Sequence, residues 1–424
     1  MSGNSWAREK LKGFSTKCPG LLRFYRRSRE DVKRKQFATL QRENPVDEKL
    51  VVFESFWGKS YNCSPKAIYE GMLRDKRYDD YHFIWSFQDT QAHRQLLENP
   101  RTRLVQRNSK EYEMAFAKAK IWIYNMSVPE YMEPSKNQIY VETWHGTPLK
   151  KINGMLDKLG DYRYDFFTYI TAAAPMFQPV FVQAFGCRQD QVLLCGHPRN
   201  DYLFQTEEGL KQLGIDSAEY EKIFLWMPTY RKSRDGYIQD TEESCEEIGG
   251  LPLFADVEEL GELNRFLERQ NCLLILKMHP AQDLSRLNPK IRQYRRICFL
   301  TNEDMRRRQV PLYSLVKEAD ALITDYSSVY FDYLLLDRPI GFVLEDLESY
   351  EGHRGFVVPN PLDYMPGEKI YCKEELLDFF RKVVNEEDNF KEERKKICDQ
   401  VNYYQDGNNC ARLLELIHLE VDHS

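Results

Sequence analysis

The stretch ADALITDYSSVYFDYLLLDRPIGFVL, residues 319–344, decides the fold class. Its first apolar run ends at Thr324 and predicts a short buried strand, after which Ser327 and Ser328 open a predicted helix. A second apolar run at 338–344 predicts another strand. Because strand, helix and strand in this order form the unit of a parallel sheet, the surrounding chain is predicted to be α/β.

The same alternation extends in both directions from this stretch and gives two series of β/α units. The first series has its predicted strands at 50–56, 81–87, 101–106, 121–125, 138–146, 166–174 and 191–201. The second has them at 223–231, 272–280, 296–304, 319–328 and 338–344. Two such series predict two Rossmann-like domains that face each other across a cleft.

The domain boundaries follow from these series. We expect a basic arm at 1–48, a first domain at 49–205, a second domain at 206–395 and a C-terminal closing helix at 396–424. The acidic, Gly-ended segment 231–250 is expected to be a solvated surface loop, with a lid over the cleft as the alternative.

Composition narrows the class of protein. Of the 424 residues, 42% are hydrophobic and 30% are charged, which excludes disordered and collagen-like chains. No apolar run approaches the ~18 residues that cross a bilayer, and residues 1–30 lack the apolar middle of a secretory signal, so we expect a cytoplasmic protein. The ten cysteines form no C-x-x-C pair and the eight histidines show no zinc spacing, so no structural metal is expected.

The basic arm differs in charge from the rest of the chain. Residues 1–43 hold 12 Lys/Arg and 4 acidic residues, whereas the whole chain has a net charge of −6. Interleaved aromatic and leucine side chains suit an anionic membrane surface. The alternative is a solvated, partly helical tail, and nucleic acid is not expected because the main body is acidic.

Two histidines stand at the carboxyl ends of predicted strands, one in each domain. His145 follows the strand that begins at residue 138, and His279 follows the strand that begins at residue 272. Ligands of doubly wound sheets bind at these ends, and a neutral imidazole is a suitable general base near neutral pH. The alternative is a histidine that only satisfies a buried turn.

Other side chains at strand ends suit an anionic ligand. Ser327 and Ser328, at the start of a predicted helix, offer hydroxyl and backbone N–H groups to a phosphate, although simple helix capping remains the alternative. Arg199 and Arg231 could bind a diphosphate or form surface ion pairs. No G-x-G-x-x-G, P-loop or G-x-S-x-G motif is present, so those ligand sites and hydrolase types are not supported.

Five motifs carry a family resemblance. They are ETWHGTPLKKI (142–152), GHPRND (196–201), MPTYR (227–231), LKMHP (276–280) and ITDYSSVYFDYLLLDRPIGF (323–342). In this order they resemble the CDP-glycerol glycerophosphotransferase family, whose members build teichoic acids and related polyol-phosphate polymers. The resemblance implies a GT-B fold with a CDP-polyol-binding second domain and an acceptor-binding first domain.

The resemblance also implies an activity and partners. Glycerol phosphate would pass from CDP-glycerol to a hydroxyl of an undecaprenyl-diphosphate-linked acceptor, with release of CMP, at the cytoplasmic face of the cell membrane. No resident cofactor is implied, and loosely bound Mg²⁺ on the donor diphosphate stays open. The alternatives are a CDP-ribitol-dependent transferase, a GT-B nucleotide-sugar glycosyltransferase and a non-catalytic membrane-bound scaffold.

Residue roles are carried over motif by motif. By resemblance, His145 is the catalytic base and His279 is the second catalytic histidine, near the transferring phosphate. The residues implied to contact the CDP-polyol are Trp144, Gly146, Thr147, Pro148, Arg199, Pro228, Thr229, Arg231, Met278, Pro280, Ser327, Ser328 and Asp332. His197 stands where relatives often have another residue, so we assign it no catalytic role.

Overall fold

Two parallel sheets form the framework of the protein. The computed structural model describes residues 19–156, 165–206, 208–229, 248–279, 287–345, 347 and 355–423. The first sheet contains β1 (Asp47–Glu54), β2 (His82–Phe87), β3 (Thr102–Gln106), β4 (Ala119–Tyr124), β5 (Ile139–Glu142), β6 (Tyr169–Ala172) and β7 (Val192–Leu194). The second contains β8 (Lys222–Met227), β9 (Cys272–Lys277), β10 (Ile297–Leu300), β11 (Ala321–Thr324), β12 (Ile340–Val343) and β13 (Glu368–Ile370).

Helices cover the faces of these sheets. They are α1 (Pro19–Glu43), α2 (Cys63–Arg74), α3 (Lys110–Lys118), α4 (Gln178–Phe185), α5 (Gly209–Gln212), α6 (Val257–Arg269), α7 (Asn302–Arg307), α8 (Leu312–Glu318), α9 (Val329–Tyr333), α10 (Lys373–Val384), α11 (Lys391–Val401) and α12 (Asn409–His423). Strands such as β4 and β9 are buried along their whole length, because both faces of a parallel sheet are covered.

The strand order places the crevice of each domain. The first sheet runs β3-β2-β1-β4-β5-β6-β7 and the second runs β10-β9-β8-β11-β12-β13, with every strand pair parallel. Every strand predicted from the sequence is present, and the predicted α/β fold class is confirmed. Strand β13 was not predicted, because its residues EKI include only one buried side chain and so lack an apolar run.

The basic arm is partly integrated into the first domain. Phe37 on α1 is 2% exposed and packs edge-on against Trp122 and Tyr131, with ring centroids 6.2 and 6.4 Å away. Gln41 donates hydrogen bonds to the Glu133 carbonyl and to Gln138. Burying a side chain of this size stabilises the docked helix by about 1.5–3 kcal/mol. Within the described ranges, no helix has the length and apolarity needed to cross a membrane.

The C-terminal region forms two helices rather than one closing helix from residue 396. Helix α11 ends at Val401, and α12 packs against the first domain, where Leu413 and Ile417 share a core with Val51. The chain therefore crosses back from the second domain. The amino end of α12 is held by Asp201, whose carboxylate accepts hydrogen bonds from the backbone amides of Asn409 and Cys410 at 2.9 and 2.8 Å.

We expect Asp201→Ala to lower the free energy of unfolding by about 1–2 kcal/mol, because two buried helix-end amides lose their acceptor. Urea unfolding followed by circular dichroism measures the change. Asp216→Ala is the matched control, since Asp216 caps an exposed turn through the amide of Ala218. A loss for Asp201→Ala no larger than that of the control would contradict this account of how α12 is anchored.

Candidate active site

The order of each sheet reverses at one point, and ligands of doubly wound folds bind outside the strand ends at that point. In the first sheet the reversal lies between β1 and β4, and in the second it lies between β8 and β11. The chain leaves these strands through Ser55–Gly58, Asn125, Pro228–Thr229 and Asp325–Ser328, the segments that border the two crevices.

His145 is held in a turn after β5. Trp144 (φ 50°) and Gly146 (φ 135°) both have positive φ, and the imidazole packs 4.0 Å from the Trp144 ring. Its Nδ1 lies 3.2 Å from the carbonyl oxygen of Asn125. A carbonyl can only accept, so Nδ1 carries the proton and Nε2 is the nitrogen that can accept one. Burial lowers the pKa of His145 to about 4, so the ring is neutral at neutral pH.

Glu142 supports this turn and was missed by sequence reasoning. Its buried carboxyl accepts hydrogen bonds from the amide of Trp144 and the hydroxyl of Tyr140, both at 2.9 Å. Burial raises its pKa to about 8, although both hydrogen bonds act in the opposite direction. A left-handed non-glycine residue costs about 1–2 kcal/mol, and the Glu142 contact helps to offset that cost at Trp144. The signal in the sequence was an acidic residue within an otherwise apolar predicted strand, at the first position of the motif ETWHGTPLKKI.

Arg199 connects the His145 turn to the second domain. Its guanidinium donates to the His145 carbonyl oxygen and, at 2.5 Å, to the Asp332 carboxylate on α9. Asp332 also accepts from the Tyr313 hydroxyl at 2.5 Å and from the Asn200 amide at 2.9 Å. These four side chains are all buried. Arg199 and Asp332, both predicted to contact the donor, thus contact each other in this structure.

The remaining residues of the motif pack around this ion pair. A Cβ added to Gly146 would lie 2.5 Å from Nη2 of Arg199, so only glycine allows the guanidinium to approach so closely. The Thr147 hydroxyl lies 3.1 Å from Nε2 of His197, a buried ring whose pKa falls to about 4 through burial and the charge of Arg199. Pro148 is also buried. His197 therefore has a structural contact with the turn.

The second crevice is bridged by one hydrogen-bonded pair. The amide and hydroxyl of Thr229 both donate to one oxygen of Asp325 at 2.8 Å, which ties the end of β8 to the end of β11. Ser327 and Ser328 are partly exposed beside them, and Ser328 makes no side-chain capping bond to the short helix α9. Simple helix capping therefore does not account for Ser328.

His279 stands at the end of β9 and is exposed, whereas the preceding Met278 is buried. Partial desolvation lowers the pKa of His279, and the charges of Lys277 and Lys150 act in the same direction. Lys150 belongs to the first domain, in the segment that follows His145. Lys150 therefore lies close enough to His279 for its charge to act on that ring.

Backbone contacts fix the same segment to the second domain. Lys150 pairs with Phe356 in an antiparallel bridge. The amide of Lys151 donates to the Gly355 carbonyl at 3.2 Å, and the amide of Val357 donates to the Leu149 carbonyl at 2.9 Å. Two sets of contacts therefore hold the His145 turn to the second domain. One is Arg199, which bonds both the His145 carbonyl and Asp332, and the other is this group of backbone contacts.

Some predicted positions lie outside the described residues. These are Arg231, Pro280 and most of the 231–250 segment. Among the residues that are described, no group of three His, Cys, Asp or Glu side chains could hold a metal ion.

Comparison with known proteins identifies the family. Residues 36–419 match the CDP-Glycerol:Poly(glycerophosphate) glycerophosphotransferase family. The chain belongs to this family. Its members are CDP-glycerol glycerophosphotransferases, and the resemblance read from the five motifs is confirmed.

Individual relatives can be aligned with most of this chain. The chain is 30% identical over 397 residues to a teichoic acid poly(glycerol phosphate) polymerase of Bacillus spizizenii, and the alignment covers 88% of this chain and 92% of that protein. It is 26% identical to a teichoic acid glycerol-phosphate transferase of Staphylococcus aureus, covering 88% and 93%. A solved structure of the wall teichoic acid polymerase TagF superposes with a TM-score of 0.71 at 27% identity, covering 95% and 97%. The predicted GT-B organisation is confirmed.

We expect Asp332→Asn to lower the free energy of unfolding of the glycerophosphotransferase by about 3–5 kcal/mol, because it leaves the Arg199 guanidinium buried without a counter-charge. Chemical denaturation measures the loss. Asp337→Asn is the matched control, because Asp337 is 45% exposed and its partner Arg394 keeps Asp388. If Asp332→Asn unfolds like wild type and has a raised KM for CDP-glycerol, Asp332 belongs to the donor site instead.

Proposed function

We propose that the protein transfers glycerol phosphate from CDP-glycerol to a terminal hydroxyl of a lipid-linked poly(glycerol phosphate) acceptor in teichoic acid synthesis, releasing CMP. The family match and the named relatives support the donor and the polymer. The observation that carries the mechanism is the contact of His145 Nδ1 with the Asn125 carbonyl, because it leaves Nε2 able to accept a proton in the cleft.

The reaction needs one base and several groups that stabilise phosphate charge. Nε2 of His145 takes the proton of the acceptor hydroxyl while its oxygen attacks the glycerol-bearing phosphorus of the donor. A new P–O bond forms, the bond to the CMP oxygen breaks, and CMP leaves with the electron pair. Phosphoryl transfer depends mainly on positioning and charge stabilisation rather than on covalent catalysis.

The second domain supplies the donor contacts in this proposal. The hydroxyls of Ser327 and Ser328 border the crevice at the end of β11, where ligands of such sheets bind. His279, kept neutral by its lowered pKa, can donate an N–H to a phosphate oxygen. Arg231 is the further cation assigned by resemblance. Arg199 and Asp332 act by holding the two domains and the His145 turn in place.

We expect His145→Ala to slow CMP release by about 10²–10⁴-fold with little change in donor affinity, because it removes the base and leaves the second domain intact. The measurement is CMP release from CDP-glycerol with a lipid acceptor analogue, run in parallel with CDP-ribitol. Since burial keeps His145 neutral above a pH of about 4, wild-type kcat/KM should stay flat from neutral pH to about pH 5.5. The control is His82→Ala, at an exposed position. CMP release by His145→Ala at the control rate would remove His145 from the mechanism.

We further propose that α1 attaches the enzyme to an anionic membrane surface. Phe37 fixes one side of the helix to the first domain, while Arg29 and Lys35 remain exposed. Each cation near anionic lipid contributes about 1 kcal/mol, so the attraction is electrostatic and falls with salt.

Reversing two charges, Arg29→Glu with Lys35→Glu, should weaken sedimentation with phosphatidylglycerol vesicles more than tenfold and leave phosphatidylcholine sedimentation unchanged. Because Phe37 stays in place, the fold is preserved, unlike in a truncation of the arm. Lys211→Glu with Lys396→Glu, at two exposed positions outside the arm, changes the net charge by the same amount and is the control. Equal losses in both proteins would show that the helix is not the attachment surface.

A further inference from the structure

The crevice of the first sheet contains a strained segment to which no function has been assigned. Directly after β1, Phe56 (φ 49°), Trp57 (φ 56°) and Gly58 (φ 74°) are three consecutive left-handed residues. Non-glycine residues rarely adopt this conformation, and it persists where surrounding contacts impose it, often at functional sites. Trp57 is nevertheless 39% exposed, so burial of its side chain does not explain the strain.

Several hydrogen bonds impose this conformation. The amide of Phe56 donates to the Asn125 side chain at 2.8 Å, and Gln88 donates to the Trp57 carbonyl at 3.0 Å. The amide of Gln88 donates to the Gly58 carbonyl at 2.7 Å. The indole N–H of Trp57 itself donates to the Ser127 carbonyl at 3.3 Å. The ring is therefore held in one orientation with its polar edge already satisfied.

One residue joins this segment to the proposed base. Asn125 accepts the Phe56 amide through its side chain and contacts Nδ1 of His145 through its backbone carbonyl. The Phe56 ring centroid lies 6.0 Å from that of His145. Asn125, at the end of β4, therefore bonds both the backbone next to the exposed indole and the imidazole.

A cation accompanies the exposed ring. Nζ of Lys59 lies 5.8 Å from the centroid of the Trp57 indole, and Lys59 is exposed. An apolar aromatic face beside a positive charge suits a ligand that alternates C–H surface with phosphate. A chain of polyol phosphates has that chemistry.

We propose that Trp57 and Lys59 form the acceptor subsite. The indole packs against the C–H surface of the terminal polyol unit, and Lys59 neutralises the phosphate that follows, which directs the terminal hydroxyl to Nε2 of His145. This inference rests on the proposed function, in which the crevice between β8 and β11 takes the donor. The crevice between β1 and β4 then receives the acceptor.

The test uses the full chain and a short synthetic glycerol phosphate oligomer as the probe. Trp57→Ala should raise the oligomer KM at least tenfold, while the KM for CDP-glycerol stays within twofold. Trp57→Phe should restore most of the loss, because it keeps an aromatic face. Lys59→Gln should raise the oligomer KM and make it less dependent on salt. Leu97→Ala, at a 48% exposed position of the same domain, is the control.

Calorimetric titration of the oligomer separates this inference from the proposed function. If wild type transfers glycerol phosphate but Trp57→Ala binds the oligomer as tightly as Leu97→Ala does, the subsite is wrong and the function stands. If wild type binds the oligomer through Trp57 yet releases no CMP, the subsite stands and the function is wrong. A third outcome would also overturn the subsite. In it, the Trp57→Phe protein unfolds thermally like wild type but loses donor binding and oligomer binding to the same extent.

Discussion

The buried contact between Arg199 and Asp332 is the constraint on which the arrangement of the cleft depends. A guanidinium and a carboxylate that are both removed from water need each other, since breaking such a pair costs about 3–5 kcal/mol. Here the pair joins two domains, and the same guanidinium holds the backbone of His145. This one contact therefore couples the relative position of the domains to the backbone that carries the base, and Gly146 is required because nothing larger fits beside the guanidinium.

The fold was predictable from the sequence to the extent that its signals are local. Apolar runs separated by helix-like segments located the strands, because a strand covered on both faces is apolar along its length. The order of the strands was not predictable in detail, and β13 lacked a run to detect. The docking of α1 through Phe37 and the return of α12 to the first domain depend on contacts between distant segments, which no local pattern encodes.

The candidate site, like the fold, could be predicted from the sequence only where the signal is local. His145 and Ser327 could be located because the ends of parallel strands meet at one edge of a sheet, whereas Thr229 was named by the family resemblance alone. The motifs assigned Arg199 and Asp332 to the ligand, but their separation by 133 positions hid the fact that they bind each other. Asn125 was missed because it belongs to no recognisable pattern. Glu142 opens the motif ETWHGTPLKKI, but the motif gave it no role, although each of the two residues holds a group that a motif does name.

The return of the C-terminal helix has a mechanical consequence. The chain passes from the first domain to the second between β7 and β8. It returns between α11 and α12, where the amide of Tyr403 donates to the Ala173 carbonyl. Asp201 and Asn409, which flank these two passages, are hydrogen-bonded to each other, so the passages run side by side. Two adjacent tethers act as one pivot. Any opening of the enzyme to exchange nucleotide would then be a rotation about this pivot, with the widest gap at the opposite rim, and sliding of one half along the other is disfavoured.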